Sequence, residues 1–203
     1  MENIKNKIVF SFFAISLSIS AALPAKAAAY TYTSREYGFS IECPQKPLGV
    51  VPLVDSKQKG EILVFSNDGY FILKGWIIAT NAFDTNKMPD FDNLDAKETQ
   101  KYVNNLKENN NYAIVRLIKL HGHKVLYAVT QKDAYVNDDN KKAPLKQSTS
   151  QRIETYIPGE KTNYAIVFFK SGDMTKEDIY DYQEGLISFK EIINNKVKDT
   201  KKK

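Results

Sequence analysis

From Tyr37 to Cys43 the chain alternates, with Phe39, Ile41 and Cys43 on one side and Ser40 and Glu42 on the other. That period of two belongs to a half-buried strand and places the lone cysteine on the buried side, as a small hydrophobe. Further apolar runs follow at Val50 to Val54, Ile62 to Phe65 and Tyr70 to Ala79. Between the last two, Asn67-Asp68-Gly69 supplies the positive φ that a hairpin turn demands. Trp76, flanked by Leu73, Ile77 and Ile78, reads as core. Past a polar loop from Ala82 to Asp92 the period lengthens to about 3.6, with Phe91, Leu94, Tyr102, Val103 and Leu106 on one side, which predicts a helix over Asn93 to Glu108. Asn109-Asn110-Asn111 stops it.

Strand periodicity then returns in two hairpins. Tyr112 to Leu120 and Lys124 to Lys132 flank His121-Gly122-His123. Beyond a loop from Asn137 to Gln147, Gln151 to Ile157 and Asn163 to Lys170 flank Pro158-Gly159-Glu160-Lys161. Thr175 followed by Glu177 and Asp178 reads as the N-cap of a second helix, whose stripe is Ile179, Tyr182, Leu186, Phe189 and Ile193. Strand connections dominated by hairpins exclude parallel βαβ units. The expected fold is α+β: a mainly antiparallel sheet of six or more strands flanked by helices.

The first residues carry a different pattern. Lys5 and Lys7 precede a run of sixteen uncharged residues, Ile8 to Leu23, and Ala25-Lys26-Ala27 follows Pro24. A basic start, an apolar stretch and a small-residue site form a secretory signal peptide, and the run falls short of the roughly 20 residues that span a bilayer. The expected division is a signal peptide over 1–27, a leader over 28–36, one domain over 37–195 and a lysine-rich tail over 196–203. One cysteine cannot close an internal disulfide, so the core must be hydrophobic.

The net charge of +5 belongs to the two ends. The signal segment holds three lysines against Glu2, and the tail holds five lysines against Asp199, so the body carries 5 − 2 − 4 = −1. A nearly neutral body gives nucleic-acid binding no support. The tail predicts at most a weak electrostatic contact with anionic surfaces.

The segment Tyr37-Gly38-Phe39-Ser40-Ile41-Glu42-Cys43-Pro44 resembles the "GF-x-I-x-x-P" opening of PsbP-like domains, which include many exported bacterial members. The order of elements is similar as well, although Gln45-Lys46-Pro47 stands where the family often has a tryptophan. The resemblance implies an α-β-α sandwich and a binding or accessory role: the plant member supports photosystem II, and the fold relative Mog binds the GTPase Ran. It assigns no residue a function.

Candidate chemistry is sparse. His121 and His123 are the only histidines, and in an extended segment their spacing would aim both rings the same way as a zinc or copper pair, with a third ligand from Asp133, Glu154 or Cys43. Gly122 between them points instead to a hairpin tip with both rings in solvent. Asp84, Asp90, Asp92 and Asp95 offer oxygen ligands to calcium, but without the EF-hand spacing, and carboxylates ahead of a helix are favoured for electrostatic reasons alone. No G-x-S-x-G, H-E-x-x-H, P-loop or G-x-G-x-x-G occurs. The twelve tyrosines read mainly as half-buried strand residues. The expectation is an exported, non-catalytic binding or accessory domain of a bacterial cell envelope, with no cofactor and another envelope protein or polymer as partner. An envelope hydrolase with converging carboxylates, or a calcium-binding exported protein, is the alternative.

Overall fold

A computed structural model describes residues 29–53, 58–82, 88–136 and 147–192, with 133–136 and 147–149 described by their backbone. The signal segment, the lysine tail, Asp84, Ile193 and most of the 137–147 loop lie outside the described residues. Eleven strands and two helices follow in the order β1 (Tyr30–Ser34), β2 (Phe39–Cys43), β3 (Gly49–Pro52), β4 (Lys59–Asn67), β5 (Ile72–Thr80), α1 (Ala96–Asn109), β6 (Tyr112–Leu120), β7 (His123–Thr130), β8 (Asp133–Val136), β9 (Gln147–Ile157), β10 (Tyr164–Ser171), α2 (Lys176–Ser188) and β11 (Lys190–Glu191). Every strand pair is antiparallel.

The large sheet runs β3-β4-β5-β10-β9-β7-β6, and β8 joins it on the start of β9. Its inner face carries Leu63 and Phe65, Trp76 and Ile78, Tyr164, Ile166 and Phe168, Ile153 and Ile157, and Val125 and Tyr127, each buried. Over that face lie α2, through Tyr182 and Leu186, and a small sheet of order β1-β2-β11, through Phe39, Ile41 and Cys43. Alternation in β2 puts Phe39, Ile41 and Cys43 at 0%, 1% and 1% exposure, so the cysteine is core. Trp76 stands edge-on between Phe65, 5.2 Å away, and Tyr182, 6.1 Å away. It can approach α2 this closely because position 185 is glycine: a Cβ there would lie 2.5 Å from the indole.

The expected α+β, helix-flanked α-β-α sandwich is corrected here. The protein is predominantly β: among the described residues eleven strands stand against only two short helices. A three-layer sandwich needs a helical layer on each face of the sheet. Instead α2 shares the inner face with the small sheet, and α1 runs beside β6 at the edge without burying any of its own residues. On the outer face Ile62, Ile77, Val167 and Phe169 stay half-buried. Three strands escape the hydrophobic pattern: β1 forms from the expected leader, β8 opens the Asn- and Asp-rich loop, and β11 is two residues long. Each adds β content that periodicity does not register.

Both helix starts follow the sequence. Asp95 and Thr175 each form a reciprocal capping box, with Glu98 and Asp178 respectively. Asp178 does more. Its carboxylate, 5% exposed, takes Lys74 Nζ at 2.7 Å on one oxygen and Lys170 Nζ at 2.5 Å on the other, fastening α2 to β5 and β10.

Candidate functional site

Two turns at one end of the large sheet and the loop before α1 enclose a hollow. The β6–β7 turn is His121-Gly122, with φ of 51° and 92°. These are the two positive values a two-residue hairpin loop requires. The β9–β10 turn, Pro158 to Asn163, is fastened from beneath by Glu191 of β11, whose carboxylate accepts from Glu160 N at 2.6 Å and Lys161 N at 3.1 Å. Gly159 is obligatory there, since a Cβ would meet the Thr162 carbonyl oxygen at 2.4 Å. From the other side, Thr162 Oγ1 donates to Asn81 Oδ1 at 2.8 Å, and accepts from Asn81 N at 3.1 Å.

The loop 88–95 closes the third side. Asp92 reaches across to β7, where one carboxylate oxygen accepts from Lys124 N at 2.8 Å and the other lies 2.8 Å from His123 Nδ1. Those contacts, the Lys124 amide first and the His123 ring second, hold the Asp92 carboxyl below the usual carboxylate range. Lys124 Nζ donates to the Phe91 carbonyl at 3.2 Å, and the Phe91 ring packs edge-on against Tyr102 of α1 at 5.4 Å. So the loop is held to the sheet by charge and to the helix by an aromatic contact.

Two adjoining cavities result. The larger, about 490 Å³, is walled by Met88, Pro89, Phe91, Tyr156 and Pro158, with Asp90, Asp92, His123, Lys124, Gly159 and Glu160 also lining it. The smaller, about 330 Å³, shares His123, Pro158, Gly159 and Glu160 and continues past His121 to Glu191 and Lys190. Behind the wall, the Tyr156 and Tyr112 hydroxyls both donate to one oxygen of buried Glu154, each at 2.9 Å. Burial first, and then the Glu154 charge, push the Tyr112 phenol up to about 12 and Tyr156 higher still. Both rings are therefore neutral, fixed struts.

Among the described residues the candidate metal groupings do not assemble. The turn rotates the two histidines apart: His121 Nε2 lies 3.4 Å from the Leu186 carbonyl of α2, whereas His123 faces Asp92. Side chains at i and i+2 share a side only along continuous extended backbone, and His121 sits at positive φ. Glu154 is occupied by tyrosines and Cys43 is in the core. Of the four aspartates, Asp84 lies outside the described residues. Asp90 accepts from Asp92 N and Asn93 Nδ2, and Asp95 caps α1, so each carboxylate serves a different donor. Among the described residues no group of three or more His, Cys, Asp or Glu could hold a metal ion.

A second surface feature lies at the far edge. The β4–β5 turn holds Tyr70 and Phe71 outward at 92% and 70% exposure, because Asp68 accepts from both of their amides, at 2.9 and 2.7 Å. Leu48, Val50 and Val51 are exposed beside them. The apolar runs at Val50 to Val54 and Tyr70 to Ala79 read as strands, but Tyr70 and Phe71 belong to the turn and β5 starts at Ile72. The Asp68 side chain, which can cap two amides, is the signal that ends the turn later.

Comparison of the chain with models of known protein families gives no match, and comparison with characterised proteins gives none either. No described helix is long and apolar enough to cross a membrane.

Proposed function

We propose that this chain is an exported, non-catalytic binding or accessory domain of the bacterial cell envelope, and that it takes its ligand in the hollow between the 88–95 loop and the two sheet-end turns. The observation that carries this reading is the pair of adjoining cavities with an apolar wall and a polar rim, built from segments that are each tied down. Preorganised concavities of a few hundred Å³ with few polar groups are the usual form of a ligand site. The PsbP-like opening at 37–44 and the signal pattern at 1–27 favour an exported accessory role. The Asp92 carboxyl at the rim of the hollow is held below the ordinary range by the Lys124 amide and the His123 ring, the opposite of what a glycosidase's acid needs.

Amide NMR of the isotope-labelled protein, titrated with soluble muropeptides, envelope polysaccharide fragments and short peptides, tests the site. Shifts confined to Phe91, Asp92, His123, Lys124 and Gly159 are expected. Titrations that leave those amides unmoved while other regions respond would overturn the assignment. Mass spectrometry tests export: the expected start is near Ala28, and an intact Met1 on membrane-bound protein would refute cleavage.

A further inference from the structure

We infer that the sheet-end hollow selects an amphipathic cation, an apolar group next to an ammonium or guanidinium, as a segment carrying Lys or Arg beside an apolar side chain would present. This rests on the binding reading above and gives its ligand a chemistry. The two cavities together are lined by four carboxylates, Asp90, Asp92, Glu160 and Glu191, and by two lysines, Lys124 and Lys190, so these six groups sum to 2 − 4 = −2.

The charges also differ in what they are free to do. The Lys124 ammonium is turned onto the Phe91 carbonyl, and Glu191 is spent on the β9–β10 turn. Glu160 is exposed, borders both cavities, and its carboxylate has no partner among the described residues. It is the group best placed to receive a cation. Met88, Pro89, Phe91, Tyr156 and Pro158 beside it exclude water from one side of that cation, which strengthens its attraction to the carboxylates and offers aromatic faces. The same walls receive the apolar part of the ligand. An anionic ligand would meet the net negative charge with little to offset it.

Four probes separate the parts of this inference: the peptide Leu-Lys-Lys-Leu, its neutral and acidic counterparts with Gln and Glu in place of Lys, and spermidine, which has the charge without the apolar group. The lysine peptide is expected to shift the amides of Phe91, His123, Lys124 and Gly159. It should bind at least tenfold more tightly than the acidic peptide, and weaken severalfold between 50 and 300 mM salt because contacts at an open rim are screened. Glu160→Gln, at an exposed position, is expected to weaken the lysine peptide about threefold and leave the Gln peptide unchanged. Met88→Ala should weaken both. Equal binding by the neutral or acidic peptide at those amides would overturn the cationic assignment and leave the hollow as a binding site. Equal binding by spermidine would overturn the apolar part. If the muropeptides, polysaccharides and all four probes leave these amides unmoved, the site itself is refuted together with its ligand.

Discussion

Asp178→Asn removes one charge from the point where α2 meets the sheet, and it should destabilise the protein in a pH-dependent way. The carboxylate is 5% exposed and receives Lys74 at 2.7 Å, Lys170 at 2.5 Å, and the Thr175 amide and hydroxyl at 2.9 Å each. Burial pushes this carboxyl up, but the hydrogen bonds from Lys170, Lys74 and Thr175 outweigh it and hold the group far below the ordinary range. Hydrogen bonds to charged partners contribute about 1.5–3 kcal/mol each. The lysine ends, 24% and 22% exposed, recover part of that by turning to water. Asparagine keeps an oxygen for the helix cap, so the net loss is about 2–4 kcal/mol at pH 7. For a domain of this size that lowers Tm by roughly 5–15 °C.

A carboxyl with a depressed folded-state pKa contributes stability that is complete above its unfolded value, near pH 4, and that is lost as the pH falls through the folded value. The gap between wild type and variant should therefore be full at pH 7 and close progressively below pH 4. Thermal or urea unfolding of both proteins from pH 7 to pH 2 measures it. A gap under about 1 kcal/mol at pH 7, or one of the same size at pH 7 and pH 2, would refute the charge-based account of this contact.

Three further outcomes follow from the core. Gly185→Ala sets a methyl 2.5 Å from an indole wedged between Phe65 and Tyr182, so overpacking should cost about 3 kcal/mol in urea unfolding and alter the near-UV signal of Trp76; an unchanged midpoint would mean that α2 shifts freely. Tyr182→Phe removes a fully buried hydroxyl shared between Thr155 Oγ1 at 2.8 Å and the Ile166 carbonyl at 2.6 Å, with an expected loss of about 1–3 kcal/mol; a stability gain in the same assay would contradict it. Burial pushes the Cys43 thiol up to about 12, so it should resist thiol reagents in the native protein at pH 8 and react only on unfolding; reaction at the unfolded rate under native conditions would place it at the surface.

What periodicity can carry, it carried: β2, β4, β5, both hairpins and both helices stand where Phe39-Ile41-Cys43, the Asn67-Asp68-Gly69 turn and the Thr175 cap put them. The layer architecture was not legible, because an amphipathic stripe such as Tyr102-Val103-Leu106 says that a helix has an apolar side and not what covers it. In the structure that side stays half-buried beside an edge strand. The hollow was not legible either. It depends on Asp92 meeting His123, 31 positions apart, and on Glu191 of a two-residue strand gripping a turn 30 positions earlier. Contacts that distant leave no local pattern. Of the hollow, only the turn residues themselves, His121-Gly122 and Pro158-Gly159, are marked in the sequence.

Stability and ligand binding should be separable in this fold, because they are placed at opposite ends of the same elements. Strand β10 begins at Tyr164, which lines the smaller cavity, and reaches Lys170 beside Asp178. Six residues of strand at about 3.3 Å each set those points some 20 Å apart. Helix α2 runs back the opposite way, from Asp178 in its first turn to Leu186, whose carbonyl faces His121. Between the two ends lies the packed aromatic layer of Phe168, Tyr182 and Trp76, which the Lys74 ammonium meets only at the Asp178 end, 6.0 Å over the Phe168 ring. Measured well below its unfolding temperature, Asp178→Asn should therefore bind the Leu-Lys-Lys-Leu peptide within about twofold of wild type, as substitutions more than 7–10 Å apart act independently. A fall in affinity of tenfold or more, with the protein still folded by near-UV signal, would show that the Lys74–Asp178–Lys170 contact sets the geometry of the distant turns.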